Sequence, residues 1–367
     1  MADDIRSLFR AELVSARPYV VGARPDDGAK LGQNENPFDL PDDLKRRLSA
    51  RFLELPLNRY PREQPRRLAA ALADYAQVPA SHVLVTHGSN EFVHSLCLAF
   101  VEKGREVVLP TPMFSLFGSA VDLFGGTILR VPARSDFTYD VDGLVEAVGE
   151  RPRLAILACP NNPTGKDLPL RDIERILVAA HGFTVVDEAY LEFTDRKSAG
   201  TLLDRYPRLI VMRTLSKAFG LAAVRIGYVV ANPGVIEQLL KVRLPFMVDP
   251  FAEEIALSVL AARDAILKRT DTIRALKERL VAGLAAIEGV EVVPSDTNFV
   301  LFRAGDDADT IQRALLAQGV GVRSMAGYAE LRQYLRVSAG SDGENRSFLD
   351  ALKSAVDRDL GSQGSGG

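Results

Sequence analysis

Residues 214–228 read TLSKAFGLAAVRIGY and directly follow the apolar run 209–212, which is typical of a strand. Lys217 is the lone cation of its segment, 214–224, which consists largely of leucine, alanine, phenylalanine and valine. An amine in such surroundings loses proton affinity because its charged form is poorly solvated, so Lys217 could act as a nucleophile at neutral pH. Arg225 follows in the same stretch and offers a planar fork of donors for a phosphate.

Two interpretations of this stretch are open at this point. A reactive amine beside an anion-binding arginine indicates a phosphorylated aldehyde that Lys217 holds as a Schiff base. The alternative is a surface loop whose lysine reaches water through its aliphatic stem. The rest of the chain has to decide between the two.

The composition is that of a soluble globular protein with two domains. The chain has 367 residues, of which 47% are hydrophobic and 25% are charged, and this length exceeds that of one ordinary core. The net charge of -3 gives no electrostatic reason to expect nucleic acid or a membrane as partner. An anionic ligand would therefore have to be bound by local groups.

The cysteines and the N-terminal charges predict a cytoplasmic location. Cys97 and Cys159 both lie in apolar runs, and two thiols in so long a chain predict no disulfide framework. Asp3, Asp4 and the arginines that follow interrupt the apolar core that a signal peptide would need. No apolar run reaches membrane-spanning length.

Strand and helix patterns alternate from residue 41 onward. Strands are predicted at 82–86, 106–109, 127–131, 154–158, 183–186 and 209–212, with helices at 42–53, 65–76, 90–101, 113–124, 141–148 and 170–180. Such alternation predicts an α/β fold in which helices cover both faces of a mostly parallel sheet, giving a three-layer αβα domain.

The pattern changes after about residue 243, where a smaller α+β domain is predicted. Its elements would be helices at 250–264 and 266–288 and strands at 291–293, 298–302, 321–323 and 334–337. The predicted division is an N-terminal arm that forms part of the small domain (1–40), a large cofactor-binding domain (41–244), a small C-terminal domain (245–358) and a flexible tail (359–367).

Four candidate motifs fall just after predicted strands, where parallel sheets bind their ligands. They contain Gly88, Asn162, Asp187 and Lys217. Asp187 ends a β-branched run, and a carboxylate in so apolar a setting needs a cationic partner, such as a pyridinium nitrogen. A surface aspartate that caps the next helix is the alternative.

Polar donors accompany these groups. After Gly88 we expect a helix that is capped by Ser89 or Asn90, and the free N–H groups of such a turn bind anions. Asn162, in the loop CPNNPTG, can donate to a ligand oxygen, although the loop is also compatible with an ordinary turn.

Metal binding is the competing explanation for one of these motifs. His87, Glu91 and His94 have a helical spacing that could suit a metal ion. We discount it because His87 precedes the predicted helix and no further ligand cluster follows.

Arg323 and Arg336 are predicted on strands of the small domain. An arginine on a strand usually points to solvent. Two arginines that converge on one cleft would instead bind an anionic substrate through paired hydrogen bonds.

Together these motifs resemble those of the pyridoxal-phosphate-dependent aminotransferases of fold type I. The matching segments are 161–165, 187–190, 216–220 with Arg225, and 334–336, and they occur in the same order. Segments 34–37, 58–61 and 214–217 are most similar to those of the histidinol-phosphate aminotransferases. The similarity covers about residues 15–355.

The resemblance implies a pyridoxal 5'-phosphate cofactor and a role for each matched residue. Lys217 would form the Schiff base and shuttle a proton at the substrate, and Asp187 would keep the ring nitrogen protonated. Tyr190 and Asn162 would bind the ring oxygen. Further implied cofactor contacts are the phosphate ligands Ser89, Asn90, Ser216 and Arg225, and Phe114, which would stack on the ring.

The resemblance also implies the substrates and the assembly. An amino group would pass between L-histidinol phosphate and 2-oxoglutarate, with glutamate as the second product, in histidine biosynthesis. Arg336 would bind the substrate carboxylate, whereas Tyr19 and Arg323 would bind the phosphate of histidinol phosphate. Tyr60 would reach the cofactor phosphate of the neighbouring subunit, which implies a homodimer with shared sites.

The chain departs from the family pattern at three places. Phe114 stands where the family often has tyrosine, and Ala223-Val224 replaces the more usual Gly-Leu before Arg225. Residues 38–40 replace a more usual Gly-Pro-Ser, which affects the entrance loop.

Three other functions are compatible with these residues. An aromatic amino-acid aminotransferase would use the same cleft, but Arg323 would matter little. A pyridoxal-phosphate-dependent decarboxylase or lyase would share Lys217 and Asp187, because the fold alone does not give the reaction. A non-catalytic binding protein on the same scaffold is the last alternative.

Overall fold

The computed structural model describes residues 5–18, 22 and 25–363, with side chains described as far as residue 357. Its strands are β1 (Ala29–Lys30), β2 (Val83–Thr86), β3 (Glu106–Thr111), β4 (Thr127–Pro132), β5 (Leu154–Ala158), β6 (Phe183–Asp187), β7 (Leu209–Thr214), β8 (Gly227–Ala231), β9 (Val290–Val293), β10 (Phe299–Ala304), β11 (Val320–Gly321), β12 (Arg323–Ser324) and β13 (Tyr334–Ser338).

The α-helices are α1 (Ala11–Ser15), α2 (Asp42–Phe52), α3 (Arg66–Ala76), α4 (Gly88–Phe100), α5 (Ser115–Leu123), α6 (Val141–Ala147), α7 (Leu170–Ala179), α8 (Pro233–Leu240), α9 (Pro250–Ala261), α10 (Arg263–Leu267), α11 (Arg269–Ala285), α12 (Ala308–Leu316) and α13 (Asp342–Gln363). No helix in the described part of the chain is long and apolar enough to cross a membrane.

A seven-stranded sheet in the order β2-β8-β7-β6-β5-β3-β4 is the centre of the larger part of the molecule. The pairs from β7 through β6, β5 and β3 to β4 are parallel, whereas β8 runs antiparallel to both β2 and β7. The predicted mostly parallel sheet is therefore confirmed. Its parallel strands all end at the same edge, so β5, β6 and β7 bring their following loops together.

Alternate residues of the buried strands face two separate apolar cores. On β7, Leu209 and Val211 pack into one core, and Ile210 and Met212 pack into the other. Helices α3, α7 and α9 cover the first core, and α4, α5 and α8 cover the second. A strand buried on both faces has to be apolar at every position, which explains the continuous runs in the sequence. The predicted three-layer architecture is confirmed.

A second, antiparallel sheet in the order β12-β13-β10-β9 forms the smaller part. Its core is shared with α11, α12 and α13. The N-terminal arm joins this part, because β1 pairs in parallel with β11 and Leu31 is buried in the same core. The predicted domain boundaries themselves stay a prediction.

Several predicted elements differ from the structure. The strand predicted at 321–323 is wrong, because β11 and β12 belong to two different sheets and Val322 lies between them. Strand β8 was not predicted. Helix α13 continues to Gln363 and so extends into the segment 359–367 that was assigned to a flexible tail.

The predicted cap of α4 is also wrong. The helix begins at Gly88, with His87 in the capping position and no side-chain cap. Gly88 has φ +73, a conformation that favours glycine, and it turns the chain from β2 directly into the helix. Ser89 and Asn90 therefore lie in the first turn, where their backbone N–H groups have no intrahelical acceptor.

Candidate active site

A cavity of about 420 Å³ opens where the loops after β2, β5, β6 and β7 meet the antiparallel sheet. Eleven residues that the sequence analysis selected line it, namely Ser89, Asn90, Phe114, Asn162, Asp187, Tyr190, Ser216, Lys217, Arg225, Arg323 and Arg336. Tyr60 does not line it, and Tyr19 lies outside the described residues. The strand-end motifs thus converge, as expected from the parallel sheet.

Lys217 projects into this cavity from the loop after β7. Its Nζ donates to the backbone carbonyl of Gln33, 2.9 Å away, and lies 5.9 Å from the centre of the Tyr190 ring. Burial, together with the positive charge of Arg336, lowers the pKa of Lys217 to about 8. Near neutral pH a much larger fraction of this amine is therefore uncharged than of an ordinary lysine, which favours a nucleophile or a general base.

Asp187 ends β6, next to β7 in the sheet. Burial raises the pKa of the Asp187 carboxyl to about 7, while a hydrogen bond from the Ala189 N–H opposes this shift. Among the described residues, no cation forms a salt bridge with this carboxyl, and the charge of Lys217 lowers its pKa only in part. A cationic ligand nitrogen would supply that charge.

Tyr190 and Asn162 are held by residues from distant parts of the chain. The Tyr190 hydroxyl accepts a 2.8 Å hydrogen bond from the Asn34 side-chain amide. The Asn162 side-chain oxygen accepts from the Arg336 guanidinium. Because its oxygen is used in this way, the group that Asn162 can offer to a ligand is its NH₂.

A cradle for an anion lies at the start of α4. A Cβ at Gly88 would lie 2.5 Å from Nη2 of Arg225, and a Cβ at Gly227 would lie 2.6 Å from the backbone nitrogen of Ser89. Glycine at both positions thus lets the guanidinium approach the helix N-terminus. Free N–H groups, the helix dipole and an arginine together suit a phosphate.

Arg323 and Arg336 are register partners on β12 and β13. Arg336 is buried, donates to the Gly32 carbonyl at 2.8 Å and lies over the Phe299 ring. Like charges directly opposite each other on a sheet are unfavourable unless an anion lies between them. This end of the cavity therefore suits an anionic substrate.

Tyr60 and Phe114 occupy different surroundings. Phe114 precedes α5 and lines the cavity, where its ring contacts Phe117 edge to face. Tyr60 is 85% exposed and stacks on Phe246, with the ring centres 5.1 Å apart. Within one chain, therefore, Tyr60 does not reach the cavity.

Two lining residues were missed by the sequence analysis as functional residues. Asn34 is buried with φ 55, and it links Tyr190 to Ser338, whose hydroxyl accepts from the Asn34 N–H at 2.8 Å. Tyr328 accepts a 3.2 Å hydrogen bond from the N–H of Ser115, the first residue of α5. The asparagines of segment 34–37 were a usable signal for the first, whereas nothing in the local pattern marks Tyr328.

The cavity fits a phosphorylated aromatic aldehyde. It contains a lysine of lowered pKa, a buried carboxyl, phenol and amide groups, and an anion cradle that a Cβ would fill. Pyridoxal phosphate has a matching group for each of these: an aldehyde, a ring nitrogen, a ring oxygen and a phosphate. Among the described residues, no cluster of histidine, cysteine or carboxylate side chains could hold a metal ion.

Comparisons with known proteins point to one family. The family model for aminotransferase class I and II matches residues 26–352. Histidinol-phosphate aminotransferase of Chlorobaculum parvum is 38% identical over 355 residues, which cover 96% of this chain and 100% of that protein. The enzyme of the same name from Chlorobaculum tepidum is 39% identical over 336 residues, covering 91% and 96%.

Solved structures agree with the sequence comparisons. Histidinol-phosphate aminotransferase from Sinorhizobium meliloti in complex with pyridoxal-5'-phosphate has a TM-score of 0.88 at 28% identity, covering 96% of this chain and 98% of that one. L-threonine-O-3-phosphate decarboxylase from Porphyromonas gingivalis has a TM-score of 0.80 at 23% identity, covering 90% and 99%. At that identity the second similarity concerns the fold alone.

Proposed function

The chain belongs to the aminotransferase class I and II family and is a pyridoxal-phosphate-dependent transaminase, and from this premise we propose the substrates and the role of each cleft residue. The proposed reaction moves the amino group of L-histidinol phosphate to 2-oxoglutarate and gives imidazole acetol phosphate and glutamate. The paired arginines on β12 and β13 are the observation that carries the proposal. One substrate bears a phosphate and the other bears carboxylates, so both need such cations.

Pyridoxal phosphate, when bound, supplies an aldehyde that condenses with amines and a ring that withdraws electrons. Lys217 holds the aldehyde carbon in the resting enzyme and then moves a proton at the substrate carbon that carries nitrogen. Its lowered pKa suits both roles. Asp187 holds a proton on the ring nitrogen, and Tyr190 and Asn162 donate to the ring oxygen.

The remaining cofactor contacts follow from the anion cradle. Arg225, Ser216 and the first turn of α4, with Ser89 and Asn90, bind the cofactor phosphate. The Phe114 ring stacks on the cofactor ring. Since the phenylalanine has no hydroxyl, this contact contributes packing without a further hydrogen bond.

The substrate end of the cleft distinguishes the proposed function from an aromatic amino-acid aminotransferase. Arg336 binds the carboxylate of glutamate or 2-oxoglutarate, and Arg323, with Tyr19, binds the phosphate of histidinol phosphate. Gly22 supports this assignment, because a Cβ there would lie 2.6 Å from Nη1 of Arg323, so the arm packs closely against that guanidinium.

Substrate kinetics test the proposal. We expect a much higher kcat/KM for histidinol phosphate than for phenylalanine, with 2-oxoglutarate as acceptor. A preference for phenylalanine would favour an aromatic amino-acid aminotransferase. Release of carbon dioxide without any need for a keto acid would favour a decarboxylase.

We also propose a homodimer with shared sites. Phe246 stacks on the exposed Tyr60 ring, and the chain segments that carry these two rings also expose Leu53, Leu57 and Leu244. Exposed apolar residues of this kind are typical of a protein interface. Tyr60 would then reach the partner's cofactor phosphate. A reducing cytoplasm is the proposed location, in keeping with two unpaired, buried cysteines.

Mixing of inactive subunits tests the shared site. Lys217→Ala and Tyr60→Ala subunits, unfolded together and refolded, would form hybrids in which one site has both an intact Lys217 and an intact Tyr60. The mixture should regain activity that neither variant has alone. Absence of any regain, with dimers present by light scattering, would contradict sharing.

A further inference from the structure

Arg196 makes an unusually complete set of contacts outside the cleft lining. Its guanidinium donates through Nε to both carboxylate oxygens of Asp167, at 2.9 and 3.2 Å. Through Nη1 it donates to Oε1 of Glu188 at 3.0 Å, and through Nη2 to the Cys159 carbonyl at 2.8 Å. The Arg196 side chain is only 8% exposed.

The three acceptors flank the two strand ends that carry chemistry. Cys159 precedes Asn162 and Asp167 follows it, so the three hydrogen bonds to these two residues close the loop that presents the Asn162 amide. Glu188 directly follows Asp187 at the end of β6. One planar guanidinium therefore connects the loop after β5 to the end of β6. The ammonium group of a lysine could not donate to Asp167, Glu188 and the Cys159 carbonyl at the same time.

Glu188 is fixed from several sides. Its Oε2 accepts from the Ser198 hydroxyl at 2.6 Å, and its Oε1 also accepts from the Ala199 N–H at 2.7 Å. The Glu188 side chain is completely buried. A buried carboxylate is tolerated when it is paired and hydrogen-bonded, and removal of its cation would leave an uncompensated charge.

That charge would act on Asp187. The negative charge of Glu188 raises the pKa of Asp187, whereas the positive charge of Lys217 lowers it. Tyr139 also faces Asp187, while Arg213 on β7, Tyr228 on β8 and Cys159 after β5 face Glu188. Among the described residues, Arg196 is the cation that forms a salt bridge with Glu188, and its guanidinium neutralises the carboxylate.

We infer that Arg196 is a positioning residue for transamination: it fixes the Asn162 loop relative to the end of β6 and shields the Asp187 site from the charge of Glu188. The inference rests on the proposed function for its kinetic part. A purely structural ion pair would stabilise the fold without affecting the protonation of the bound cofactor.

Four variants of the holoenzyme separate the two roles of Arg196. Arg196→Met removes the hydrogen bonds and the charge, and Arg196→Lys keeps the charge but loses the fork. Glu188→Gln combined with Arg196→Met removes both charges. Arg274→Met is the control, because Arg274 binds the carbonyls of Phe193 and Thr194 in the same region and touches neither strand end.

The first measurement is the pH midpoint of the absorbance change of the bound cofactor. In Arg196→Met we expect this midpoint to rise by about one pH unit, because the negative charge of the unneutralised Glu188 favours the protonated form of the bound cofactor. Arg196→Lys and the double variant should return towards wild type, since the charge balance is restored in both. This readout needs no substrate, so it stands even if histidinol phosphate is not turned over.

The second measurement is kcat/KM. It should fall by about 100-fold in Arg196→Met and stay low in the double variant, because the Asn162 loop remains unbraced. If Arg196→Met only lowers the melting temperature and matches Arg274→Met in midpoint and kcat/KM, the inference is wrong. Should Arg196→Met fail to fold, Arg196→Lys and the double variant decide by the same two readouts.

Discussion

The two ends of the cleft are built from different parts of the fold. At the cofactor end, Asp187 and Lys217 follow β6 and β7, neighbouring strands of a sheet that is buried on both faces. At the substrate end, Arg323 and Arg336 stand on β12 and β13, and the two-residue strand β12 has an intermediate exposure. In the proposed assignment, the reactive groups thus depend on a continuous core, whereas substrate selection depends on short segments from the last part of the chain.

Loss of the amine at the cofactor end should have the largest effect. Lys217→Ala removes the group that holds the aldehyde and moves the proton, so kcat should fall by about 10⁴-fold. The absorbance spectrum of the Lys217→Ala protein should also lack the signal of a covalently held cofactor. Lys241→Ala, at an exposed lysine after α8, is the control and should match wild type. Near-normal turnover by Lys217→Ala would remove the basis for the cofactor-end assignment.

The neighbouring carboxyl should have the second largest effect. Asp187→Asn keeps the shape but cannot hold a proton on the ring nitrogen as an ion pair, so kcat should fall by about 100-fold or more. Single-turnover kinetics would locate the loss in the chemical step. The matched control is Asp195→Asn, whose carboxylate is almost fully exposed. If the variant raised KM and left kcat unchanged, Asp187 would contribute to binding and not to the chemical step.

The positions of Asp187 and Lys217 at strand ends around one cavity agree with the sequence prediction, whereas their roles stay a prediction. Each follows an apolar run, and parallel strands necessarily end at one edge, so their convergence follows from local pattern and topology. The substrate end was less predictable. Residues 320–324 divide between two sheets, and a two-residue strand has no period that a pattern can reveal.

Long-range contacts explain the other omissions. Asn34 meets Tyr190 across 156 positions of sequence, and Arg196 meets Asp167 across 29, so neither partner is visible locally. Strand β8 follows Arg225, which has φ 59, a conformation in which a non-glycine residue is uncommon. Because a glycine or asparagine would normally mark such a turn, the sequence gave no indication that a strand begins after Arg225.

Changes at the substrate end should alter selection more than chemistry. In Arg323→Met, kcat/KM for histidinol phosphate should fall by about 10- to 100-fold, the value of lost hydrogen bonds to a charged group. With phenylalanine as substrate the parameters should change little. Arg332→Met, at an exposed arginine before β13, serves as control. An equal fall of kcat/KM for histidinol phosphate and for phenylalanine would mean that Arg323 does not select between the two substrates.

The smallest effect concerns the stability of the cofactor-free protein. Burial lowers the pKa of Lys217 from 10.5 to about 8, so below pH 8 the folded state has to hold a poorly solvated charge. Lys217→Met should therefore raise the free energy of unfolding by about 1–2 kcal/mol at pH 7, allowing for partial exposure. The gain should shrink between pH 8, where the folded state loses its proton, and pH 10.5, above which the amine is neutral in both states.

Urea unfolding at pH 7 and pH 10 measures this difference. Lys241→Met is the comparison, because its exposed amine has no such burial to relieve. A gain that is the same at both pH values would show that the methionine acts through packing and not through charge.

The most direct test of the proposed reaction is an end-point assay of the purified protein with L-histidinol phosphate, 2-oxoglutarate and pyridoxal phosphate. We predict equimolar formation of glutamate and imidazole acetol phosphate, with no carbon dioxide released. Formation of glutamate from phenylalanine but not from histidinol phosphate would contradict the account, as would carbon dioxide release without glutamate.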